Sequence, residues 1–148
     1  MFRSICFLCL PCSLFLLLAQ VPSAPAQSEF KKALQAKYDF KSVSCYACHM
    51  RKSEVGADQE AAFEENGKAF RNAFGKAFDK HLQGKEVTKR LAAVKELDSD
   101  DPKKLKVKEE VTQDFLEALT IVETEKSPSG PTYGELLKQA MLDGVKPK

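Results

Sequence analysis

The sequence predicts an all-α domain of about five helices around one core. Apolar residues beyond residue 27 recur at spacings of three and four, the period of a helix that buries one face. Capping residues stand where those patterns begin, and no stretch shows the period-2 alternation of a half-buried strand. Taken in order, residues 28–40, SEFKKALQAKYDF, place Phe30, Ala33, Leu34 and Tyr38 on one stripe, with Ser28 as cap. A short joint and a cysteine motif follow, and VGAD then reads as a turn. Over 58–82, Phe63, Gly67, Phe70, Phe74, Phe78 and Leu82 predict one long amphipathic helix, unusually dense in phenylalanine. Gly84 ends it. Val87, Leu91, Val94 and Leu97 mark a shorter helix. Asp101 as cap and Pro102 at the first helical position open the next, which runs to about Glu125 on Val107, Val111, Phe115, Ala118 and Val122. KSPSGPTYG is a loop by its prolines and glycines. Thr132 and Glu135 then form a capping box for a last short helix carrying Leu136, Leu137, Ala140 and Met141.

The first 26 residues follow another logic. Arg3 precedes an apolar run from Ile5 to Ala19, and Ala24-Pro25-Ala26 supplies small residues where a signal peptidase reads. This is the layout of a secretory signal peptide over 1–26, with cleavage after Ala26. The run is shorter than the roughly 20 residues that span a bilayer as a helix, which speaks against retention as an anchor. Leu10 and Pro11 before Cys12 argue against a lipoprotein. Cleavage removes Cys6, Cys9 and Cys12 and leaves one domain, 27–148, with two cysteines, Cys45 and Cys48. The expected location is periplasmic or extracellular, and two cysteines supply no disulfide framework.

Loss of Arg3 leaves 22 of the 23 basic residues against 21 acidic ones. The two signs are interleaved, as in KKLKVKEE, the pattern of solvated helix faces. No basic stripe carries interleaved aromatics, so nucleic acid is not an expected partner. No later run is long and apolar enough for a membrane span.

The motif CYACH, residues 45–49, carries the chemistry. Cys45, Cys48 and His49 stand at i, i+3 and i+4, positions that share a face on a helical turn. Covalent haem attachment needs that arrangement: two thiols add to the vinyl groups on one porphyrin edge, and the histidine ligates the iron. Export agrees with this reading, and the phenylalanine-rich helix offers an apolar wall. Three rivals use the same residues. A Cys-x-x-Cys redox dithiol is expected in a βαβ setting, which the pattern lacks. Zinc needs about four ligands; Cys45, Cys48, His49 and His81 make that number, but adjacent Cys48 and His49 converge poorly on one ion. A Cys45–Cys48 disulfide closes too small a loop to stabilise much.

CYACH behind a leader resembles the c-type cytochromes. More narrowly, FKxxLxxKY at 30–38, CxxCH, RNxFGKA at 71–77 and SPxGxTYGEL at 127–136, in that order, are similar to a group of small exported planctomycete-type proteins. The resemblance covers most of the chain after the leader. It implies a small cytochrome c-like domain that binds haem c through thioethers at Cys45 and Cys48, with His49 as proximal iron ligand. It implies single-electron transfer with redox partner proteins outside the cytoplasmic membrane, rather than catalysis. The chain departs from class I cytochromes in one respect. MRKSEVGADQE lacks the glycine-proline segment whose carbonyl orients the proximal histidine, so the partner of His49 is in question.

The ligand opposite His49 sets the iron's chemistry. Met50 adjoins His49 and does not reach the far face. Met141 in the last helix and His81 at the end of the phenylalanine helix are the distal candidates, although gap-filling is the ordinary role of a methionine and a helix terminus is an ordinary place for a histidine. A lysine ligand or an open position is the alternative. Arg71 and Asn72 are candidates to meet the haem carboxylates. An open position would make the protein a haem enzyme or gas sensor. A cofactor-free module closed by a Cys45–Cys48 disulfide is the remaining reading.

Overall fold

The computed structural model describes residues 26–148; the leader expected over 1–26 lies outside them, apart from Ala26. The described helices are α1 (Ala26–Tyr38), α2 (Glu60–Asn66), α3 (Ala73–Leu82), α4 (Val87–Ala93), α5 (Pro102–Val122) and α6 (Tyr133–Lys138). The domain is all-α in its core, as the periodicity predicts. The Asp101 carboxylate accepts from the Lys103 and Lys104 N–H groups and starts α5 behind Pro102. The capping box of α6 closes: the Thr132 hydroxyl accepts from the Glu135 N–H at 3.2 Å, and the Glu135 carboxylate accepts from the Thr132 N–H at 2.7 Å. No helix among the described residues is long and apolar enough to cross a membrane.

Helices α1, α3 and α4 all pack on α5. Leu34, Phe74, Leu91, Val111, Leu119, Val122 and Leu137 are almost fully buried between them, each contributing about 1.5–3 kcal/mol by removal from water. Phe30 stands edge-on to Phe78 at 4.8 Å and to Phe115 at 5.3 Å, which joins α1, α3 and α5 through aromatic contacts. Asp114 on α5 fastens the turn into α4. Its carboxylate accepts from Lys85 at 2.7 Å and from Arg90 at 2.6 Å. Burial alone would raise this carboxyl, but the two cations hold it below the usual carboxylate range.

Three expectations are corrected. The helix expected over 58–82 is two helices, α2 and α3, separated by a 3₁₀ turn at Gly67–Ala69 and an extended stretch over 70–72. The physical reason is non-local: this stretch pairs with the cysteine motif, as described below. Phe63 and Phe70 therefore leave the core stripe and meet edge-on at 5.3 Å. The chain also contains a short antiparallel pair, β1 (Ser42–Val43) with β2 (Val145–Lys146), too brief for alternation to announce. The last helix stops at Lys138. Ala140 takes φ 52°, so Met141 falls outside the helix and is 66% exposed.

Candidate functional site

Ser44 starts the motif. Its hydroxyl accepts from the Tyr46 N–H, and Cys45–Ala47 form one 3₁₀ turn. The Cys45 carbonyl accepts from both Cys48 N–H, at 3.2 Å, and His49 N–H, at 3.0 Å. These two bonds bring the three motif residues to one side of the turn, as the spacing predicts.

The turn is clamped from two directions. The extended stretch 70–72 runs alongside it: Met50 N–H donates to the Phe70 carbonyl at 3.0 Å, and Asn72 N–H donates to the Cys48 carbonyl at 3.1 Å. The Asn72 amide donates to the carbonyls of Tyr46 and Ala47, while its side-chain oxygen accepts from Gly75 N–H and caps α3. Asn72 is thus a backbone clamp, a role its place in RNxFGKA did not announce. Gly75 permits the approach, because a Cβ there would lie 2.0 Å from the Cys48 carbonyl oxygen. On the opposite side the Gly144 carbonyl accepts from Ser44 N–H at 2.7 Å. Gly144 has φ +75°, and a Cβ there would meet the Ala47 nitrogen at 2.4 Å, so geometry and space both require glycine.

Cys45, Cys48 and His49 together line a cavity of about 630 Å³, within the range of small-molecule and cofactor sites. Its apolar walls come from Phe30 on α1, Phe78 and Leu82 on α3, Val87 on α4 and Phe115 on α5. Sequence reasoning named the phenylalanines of α3; Phe30 and Phe115 join them only through the packing of three helices. Both cysteines are free thiols, Cys45 exposed and Cys48 partly buried. The Lys31 ammonium donates to Cys45 Sγ at 3.2 Å. Burial pushes the Cys48 thiol up to about 12, against the lowering influence of Arg71.

His49 Nε2 faces the Arg71 guanidinium at 3.2 Å, and Arg71 is also ion-paired to Asp79. With Arg71 as donor, Nε2 is the acceptor and the imidazole is neutral. Its pKa is lowered first by burial and next by the Arg71 charge, with the carbonyls of Phe70 and Lys68 opposing. His49 Nδ1 is buried without a hydrogen-bond partner.

The other candidates lie elsewhere. His81 Nε2 contacts Glu125 at 2.6 Å and does not line the cavity. Met141 is exposed after α6 and does not line it either. Among the described residues, no group of three or more His, Cys, Asp or Glu side chains gathers in a form that could hold a metal ion, so Cys45, Cys48, His49 and His81 do not assemble into one set. Arg71 lines the cavity beside His49; Asn72 is turned to the motif backbone. Comparison of the chain with protein-family models, curated proteins and solved structures finds no match.

Proposed function

We propose that the protein is a small exported carrier of one covalently held haem c, which it uses for single-electron exchange with redox partner proteins outside the cytoplasmic membrane. The observation that supports this best is that two free thiols and a neutral imidazole line one cavity with an aromatic floor. That donor set and wall suit a flat apolar ring bearing a metal. Cys45 and Cys48 would hold the ring edge by thioether bonds, and His49 would hold the iron through Nε2 once Arg71 turns away. Bound there, the iron would supply a reversible one-electron change. The chain's own part is to bury the ring among Phe30, Phe78 and Phe115, to keep His49 unprotonated and to fix the motif before the cofactor arrives.

A second reading has its own support. The cavity wall includes no methionine and no histidine other than His49 among the described residues, since His81 and Met141 stand away from it. An open position or a lysine opposite His49 fits this wall, and an open position would turn the carrier into a haem enzyme or a sensor of diatomic gases.

The test is expression with the leader in a host that matures c-type cytochromes, followed by absorbance of the denatured protein in alkaline pyridine. A reduced haemochrome band shifted as for two thioethers is the expected result. Absence of attached haem, while a known cytochrome matures in the same cells, refutes the reading; an intact mass two hydrogens below the reduced chain would then point to the Cys45–Cys48 disulfide. Carbon monoxide binding by the reduced holoprotein decides between carrier and open site.

A further inference from the structure

The cavity has two polar ends. Gly75, beside Cys48, stands in the first turn of α3, and Gln83 follows its last residue. Eight residues at 1.5 Å each separate them by about 12 Å along the helix. Phe78 and Leu82 occupy the length between, and Gln83, Thr88 and Lys89 line the cavity beyond it. The ligand that fits is amphiphilic, with an apolar body and a polar edge remote from the sulfurs.

Three cations line this cavity: Lys31, Arg71 and Lys89. Lys31 donates to Cys45, and Arg71 is held by His49 and Asp79, so both belong to the sulfur end. Lys89 is left for the remote end. Its own partner there is Glu86, at 2.9 Å, and the two side chains are 77% and 59% exposed. A surface pair of that kind is weak, so Lys89 changes partner at little cost. We infer that Gln83, Thr88 and Lys89 form the subsite for the carboxylate groups of a bound porphyrin, with Lys89 supplying the charge. The inference rests on the haem reading, and it moves the carboxylate contact away from Arg71, which stays ion-paired to Asp79 at the sulfur end when it releases His49, and from Asn72, whose amide is engaged with the motif backbone.

Iron mesoporphyrin, whose ethyl groups cannot form thioethers, tests this reversibly against its dimethyl ester. Each is titrated by absorbance into the cofactor-free wild type and into the Lys89→Leu and Lys31→Leu variants. The wild type should prefer the dicarboxylate by about tenfold, the scale of a hydrogen bond to a charged group. Lys89→Leu should erase the preference; Lys31→Leu should keep it. A preference that survives in Lys89→Leu, or a wild type that binds both porphyrins equally, overturns the subsite and leaves the haem reading standing. A wild type that binds neither porphyrin overturns both.

Discussion

Replacing Gly75 by alanine should cost the protein about 2 kcal/mol. The added Cβ would lie 2.0 Å from the Cys48 carbonyl oxygen and 3.1 Å from Arg71 Cδ. Carbon does not approach a backbone oxygen closer than 3.0 Å, so α3 and the motif must part by about 1 Å. Overpacking of that kind costs about 1–3 kcal/mol. The same movement stretches the 3.1 Å bond from Asn72 N–H to Cys48 O beyond hydrogen-bonding range, adding about 0.5–1.5 kcal/mol. Alanine returns up to about 1 kcal/mol through its better helix propensity. Urea unfolding followed by helical circular dichroism should show a midpoint lowered by about 1 M, taking a slope near 2 kcal/mol/M. A variant as stable as the wild type, or more stable, would show that propensity outweighs the contact and that α3 does not clamp the motif.

Asn72→Ala removes a helix cap and two bonds to the motif backbone, and should lower stability by about 2 kcal/mol in the same assay. Alkylation of the reduced protein at pH 8 should label exposed Cys45 faster than Cys48, whose thiolate is suppressed by burial; peptide mass mapping reads this, and equal rates would contradict the burial of Cys48. Asp114→Asn should cost about 1–3 kcal/mol at neutral pH, since Lys85 and Arg90 lose a charged acceptor. Because the folded carboxyl lies below its unfolded value of 3.8, its contribution is present above pH 3.8 and is lost as pH falls through the folded value, so wild type and variant should converge in acid. A difference that persists in acid would place the cost in packing rather than charge.

What was legible in the sequence was local. Asp101 and Thr132 act within three residues of themselves, so their caps could be read directly. The cysteine motif was legible because its spacing is its geometry. The break between α2 and α3 was not. Phe63, Phe70 and Phe74 keep helical spacing throughout, and the interruption is imposed by Cys48 and Met50, about 22 residues earlier, which claim the backbone groups of Phe70 and Asn72. Asn72 three residues ahead of Gly75 was a visible cap signal inside the supposed helix. His81 and Met141 were selected as ligand types near an apolar stripe, and nothing in a one-dimensional pattern tells that His81 turns to Glu125 and Met141 to the surface.

The pairing of Val43 with Val145 fixes an order of events. The two residues are about a hundred positions apart, a long loop to close, and such contacts form late relative to helices built from neighbours. Ser44 and Ala47 meet Gly144 in that same late step, so the motif is held from one side only until the tail docks. Cys45, Cys48 and His49 are therefore anchored first by Ser44 and the stretch 70–72, and the tail closes the second side of the turn last.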